Sequence, residues 1–88
     1  MELESIKHID DKGNEYWIAR EVSKKLNYQY RDFYILIKRA RRKCKKAGES
    51  VPKHFINFGL EVELNYEKRK VVDCKLSKYA CNLILESI

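Results

Sequence analysis

From Tyr30 to Ala47 the apolar or aromatic residues Tyr30, Phe33, Ile37, Ala40, Cys44 and Ala47 recur at alternating intervals of three and four. That is the period of a helix with one buried stripe. A basic run is threaded through the second half of this stripe. Seven of the nine residues from Lys38 to Lys46 are Lys or Arg. The chain carries 19 basic and 13 acidic residues, for a net charge of +6. Without the run, 12 basic residues face 13 acidic ones, so the whole surplus sits on one helix. The segment must therefore pack on one side and present cations on the other, and such a face favours a polyanion. The plainer alternative is a solvated face, because Lys and Arg are good helix formers and aid solubility. The run holds no acidic residue, so internal i,i+4 ion pairs cannot relieve its self-repulsion.

A length of 88 residues predicts one small α+β domain with one core, and a hydrophobic content of 44% is enough to fill it. One Pro and three Gly argue against a disordered chain. No apolar run approaches the roughly 20 residues of a membrane helix, which argues against a membrane partner. The acidic start lacks the features of a signal peptide, so the expected location is cytoplasmic. Cys44, Cys74 and Cys81 form no C-x-x-C pair, and reduced core thiols are expected. His8 and His54 have no metal-ligand spacing. With no phosphate loop and no nucleophile–base signature, the expectation is a non-enzymatic protein without cofactor, metal or catalytic residues.

Residues 5–18 read as a hairpin, entered by Ile6 and Ile9 and left through Glu15-Tyr16-Trp17-Ile18. Trp17 is expected in the core. A short helix follows from about Ala19 to Leu26, with Asn27 as a left-handed residue behind it. The long helix spans about Tyr30 to Ala47, and Gly48 stops it. So short a link predicts a helix-turn-helix-like pair, with Val22, Leu26, Tyr28, Phe33 and Leu36 on the inside. Beyond Pro52 the period changes. Ile56, Phe58, Leu60, Val62 and Leu64 alternate with polar residues, as in a half-buried strand. Asn65 to Lys68 make a turn, and a second, wing-like hairpin carries Lys68, Arg69 and Lys70 at its tip. A C-terminal helix starts after Ser77, with Ala80, Leu83, Ile84 and Ile88 as its apolar stripe.

Several strings taken together are familiar in order and spacing. They are Ile6-Lys7-His8-Ile9-Asp10 with Glu15-Tyr16-Trp17, Ala19-Arg20-Glu21, Leu26-Asn27-Tyr28, Arg39-Ala40 with Cys44-Lys45 and Gly48, His54-Phe55, and Leu76 through Ile84. Nearly the whole chain resembles the N-terminal domain of the DNA-damage-inducible protein D family. That domain is in turn similar to the N-terminal domain of baculovirus BRO proteins and phage antirepressors. The resemblance implies an α+β DNA-associated domain tied to the damage response, where one family role is antagonism of the recombinase filament on single-stranded DNA. BRO-type and antirepressor relatives bind DNA or neutralise repressors. The chain departs from the family pattern at Asn27, where Gly is usual, and at Asn65-Tyr66-Glu67, which replaces a Gly-rich loop. The family also continues into a long helical region beyond the point where this chain stops, as expected of an excised domain or a free-standing relative.

The functional expectation is a nucleic-acid-binding module, with DNA as the favoured ligand. Arg39, Arg41, Arg42, Lys45 and Lys46 would meet phosphates, Lys38 would follow on the groove-facing side, and Lys68, Arg69 and Lys70 would add a second cluster. Gln29, Arg31 and Tyr34 are the candidate base readers or stacking groups. A short helix reads few base pairs, so a dimer would sharpen specificity. The rival expectation is a small mobile-element inhibitor whose basic surface occupies a repressor, a recombinase or a CRISPR effector.

Overall fold

In the computed structural model, which describes residues 3–88 apart from the side chains of Leu60, Val62 and Leu64, the architecture is α+β. In chain order the elements are β1 (His8–Ile9), β2 (Glu15–Ile18), α1 (Ala19–Lys25), α2 (Tyr30–Lys46), α3 (Val51–His54), β3 (Phe55–Leu64), β4 (Glu67–Leu76) and α4 (Lys78–Glu86). The sheet is antiparallel in the order β1-β2-β4-β3. A 3-10 turn at Glu4–Ile6 precedes it, so Ile6 belongs to this turn and not to a strand.

The stripe on α2 behaves as its period requires. Phe33, Ile37, Ala40 and Cys44 are fully buried, Leu36 joins them, and Tyr30 is half-buried. Ala47 is exposed, because the helix has already ended there. Both helix stops work through left-handed residues. Asn27 has φ +60°, and the Tyr28 N–H reaches back to the Ser23 carbonyl at 2.8 Å. Gly48 has φ +79°, and the Glu49 N–H reaches the Cys44 carbonyl at 3.1 Å. Each return bond satisfies a carbonyl that the helix end leaves open. The link between α1 and α2 is therefore a fixed corner. Val22, Phe33 and Leu36 are buried behind it, with Leu26 and Tyr28 packed against them.

One sheet face carries the helices. Trp17, Phe55, Cys74 and Leu76 are buried there against α2 and α4. The Trp17 indole Nε1 donates to the Leu3 carbonyl at 2.9 Å. Ile56 and Phe58 lie on the face opposite Phe55, so the burial expected of these two residues is corrected. Ile56 is 48% exposed and Phe58 is only partly covered. Leu60, Val62 and Leu64 were part of the same expectation, and their side chains lie outside the description. Phe55, one residue out of phase with the alternation, is the buried anchor of this strand.

Ser77 caps α4, its Oγ accepting the Ala80 N–H at 3.1 Å. Ala80, Cys81 and Ile84 are buried on that helix, whereas Ile88 is 57% exposed beyond its end. The His54 ring meets the Ser77 hydroxyl at 2.7 Å and ties α3 to the start of α4.

Burial pushes the Cys44, Cys74 and Cys81 thiols up, and Cys81 rises to about 12. The folded state thus prefers the neutral thiol. Its stabilising effect is complete below the ordinary value of 9.0 and is lost as pH climbs from there toward about 12. Urea midpoints are expected to fall across that window, and alkylation at about pH 8 to wait for unfolding. A flat alkaline profile would contradict the burial of Cys81.

Candidate nucleic-acid interface

Because α2 buries one stripe against the sheet, α1 and α4, its remaining circumference is fixed as a surface. Lys38, Arg39, Arg42, Lys43, Lys45 and Lys46 are all exposed on it. Among the described residues, no carboxylate lies within 4.0 Å of any basic group in the run. Elsewhere the pattern differs: Lys7, Arg20, Arg31 and Arg69 each have an acidic neighbour. On α2 itself the one acid, Asp32, sits in the first turn beside Arg31, ahead of the basic run.

Arg41 leaves the outward group. It is turned toward the sheet, where its Nη2 donates to Asn57 Oδ1 at 2.9 Å. Its guanidinium carbon lies 5.7 Å from the centre of the Phe55 ring, and its Nε is buried without a hydrogen-bond partner. The helical period alone puts Arg41 off the stripe; it cannot show that the sheet edge rises far enough to cover this flank. Lys43 reaches the Ser87 hydroxyl at 3.2 Å on the opposite flank and keeps its charge in the open.

At the front of α2, Gln29 is the exposed N-cap residue and makes no side-chain capping bond. Arg31 is exposed beside Asp32, 3.6 Å away. Tyr34 is 36% exposed, its ring centre 6.3 Å from that of Tyr30 and 5.1 Å from the Lys38 ammonium.

The ribbon of β3 and β4 differs from the expected wing in charge. Its turn is shorter than expected: Asn65 and Tyr66 both have positive φ, the conformation of a tight two-residue hairpin. Lys68, Arg69 and Lys70 consequently lie within β4, not at the tip. Lys68 pairs across the strands with Glu63, and Lys70 with Glu61. Arg69 points to the other face, 3.7 Å from Glu67. Three acids thus stand beside three bases, and the ribbon holds no net positive patch.

Arg20, outside the basic run, also belongs to this surface. Its Nη2 donates to the Val72 carbonyl at 3.1 Å, and its guanidinium lies 4.1 Å from the centre of the Tyr30 ring. The Asp73 carboxylate, buried beneath, lies 3.8 Å from the Arg20 Nε. Arg20, Tyr30, Tyr34, Arg41, Asn57 and Val72 line a groove of about 340 Å³ between α1, α2 and the ribbon. Arg20 is an isolated arginine in a short helix, and only the tertiary structure brings it to Tyr30.

Over 87 residues, or 97% of this chain, the sequence is 36% identical to DNA damage-inducible protein D of Escherichia coli strain K12. The chain spans 32% of that protein's length, about a third. No protein-family model and no solved structure matches the chain. Among the described residues, no helix is long and apolar enough to cross a membrane.

Proposed function

We propose that the chain is a non-enzymatic nucleic-acid-binding module of a damage-response protein, acting in the cytoplasm and needing no cofactor. Its ligand lies along the outer face of α2. The observation that carries this reading is the exposed basic run, with no carboxylate within 4.0 Å of it among the described residues. Surface cations on a merely solvated helix gain from interspersed acids, and the chain has acids to spare elsewhere. Similarity to a protein named for its inducibility by DNA damage supports the damage-response part. The kinship with BRO proteins and antirepressors suggested by the sequence is compatible with the same surface.

Lys38, Arg39, Arg42, Lys45 and Lys46 are the phosphate contacts in this reading. They approach without competition from an internal partner. The test is a titration of random-sequence duplex DNA at several salt concentrations. Each phosphate contact contributes about −0.9 to the log–log slope. A slope of about −3 or steeper supports the reading. A protein that fails to bind at low salt, yet is retained by a repressor or recombinase, would instead be an inhibitor working through this face.

The ribbon is an accessory in this account. Replacing Arg69 and Lys70 with Gln should change duplex affinity by less than about threefold and the slope by less than about 0.5, because the neighbouring acids already offset these charges. A loss as large as that from an α2 variant would restore the ribbon as a true wing.

A further inference from the structure

The groove between α1, α2 and the ribbon holds chemistry that phosphate contacts alone do not use. Tyr30 and Tyr34 lie one helical turn apart and form a tilted aromatic pair. Arg20 closes the inner end of this pair over Tyr30, and Lys38 stands at the outer end beside Tyr34. Asn57 forms the opposite wall. Its Oδ1 accepts from Arg41, which fixes the amide and leaves its Nδ2 hydrogens free to donate. The exposed Val72 completes the lining, and Gly59 leaves open space beside it. A volume of about 340 Å³ suits one flat, polar-edged group.

We infer that this groove is a subsite for one unpaired nucleobase of a single-stranded nucleic acid threading past α2. The inference rests on the nucleic-acid reading above and adds a ligand class to it. The base stacks on Tyr34, and the Lys38 ammonium swings from the ring to the adjoining phosphate. Asn57 Nδ2 donates to a carbonyl on the base edge. A paired base cannot enter, since both of its faces and its edge are occupied in the duplex. Stacking accepts any base, so the subsite confers strand-type preference without sequence preference.

The test compares Tyr34→Ala, Tyr34→Phe and the wild-type chain on three labelled probes of about 15 nucleotides: oligo-dT, oligo-rU and a mixed duplex. Tyr34→Ala should weaken single-strand binding at least about fivefold, the scale of one lost base–aromatic stack. Duplex affinity should change less than about twofold, and both salt slopes should stay as they are, since no charge is removed. Tyr34→Phe keeps the ring and should bind as wild type, and a wild-type urea transition for Tyr34→Ala excludes a folding defect as the cause of its loss. A loss on oligo-dT alone identifies DNA as the source of the base, and a loss on oligo-rU alone identifies RNA. Equal losses on single strand and duplex, or none on single strands, would overturn the subsite. If an α2 basic-face variant still weakened binding in that case, the broader reading would survive. Wild-type protein that binds no probe at low salt would overturn both.

Discussion

Replacing Arg39, Arg42 and Lys46 together with Ala is expected to reduce duplex affinity at 0.1 M salt by more than about a hundredfold and to flatten the salt slope by about 2 to 3. Each residue is exposed and free of acidic neighbours among the described residues. Each would give up one set of released counterions, worth roughly tenfold at that salt. The fold should persist, because all three side chains project away from the buried stripe and Ala favours helix. Circular dichroism and a urea transition would confirm a folded variant. An unchanged slope in a folded variant would remove the outer face of α2 from the interface. Arg41 makes the informative contrast. Its guanidinium lies against Phe55 and Asn57, so Arg41→Ala should cost stability more than it changes the slope.

Asp73→Ala is the second large effect, and it falls on the fold. Asp73 is only 1% exposed. Its Oδ1 accepts the Arg20 N–H at 3.2 Å and the Cys74 N–H at 2.8 Å. Ile18, at the N-cap position of α1, offers no capping side chain, so a carboxylate from β4 does that work across the sheet. Removing it strands two backbone donors and releases the guanidinium that covers Tyr30. The expected cost is about 2–4 kcal/mol. The ion-pair share is kept small because the Arg20 side chain is 41% exposed. A domain of this size has only about 4–13 kcal/mol in total. Asp73→Asn retains an acceptor oxygen and should cost less than half as much. Urea unfolding of both variants checks the order, and equal small losses would show that the contacts contribute little.

The sequence was most informative where local rules act alone. The stripe from Phe33 to Cys44, the left-handed Asn27 and Gly48, and the Ser77 cap are set by neighbours within a few residues, and each appears as expected. Three features depend on tertiary placement and were misread or missed. The alternation of Ile56 and Phe58 marked a face without saying which side the helices cover. The basic triplet in β4 looked like a charged tip until the register placed Glu61 and Glu63 opposite it. Arg20 gained its role only when β4 supplied Asp73 and the Val72 carbonyl. The short α3 was also missed. Pro52 sits in its first turn, where the missing N–H costs nothing, although from sequence alone a Pro there marks a boundary. The cationic face of α2 was legible throughout, except for Arg41, whose flank is closed by the sheet.

The most direct test of the central claim is amide chemical-shift mapping during titration with a short duplex and with oligo-dT at low salt. The largest changes are expected along the outer face of α2 between Lys38 and Lys46. With the single strand, further changes should appear at Tyr34 and Asn57. Shifts confined to the β3–β4 ribbon or to the sheet face of Ile56 and Phe58, with the α2 amides unmoved, would contradict that claim.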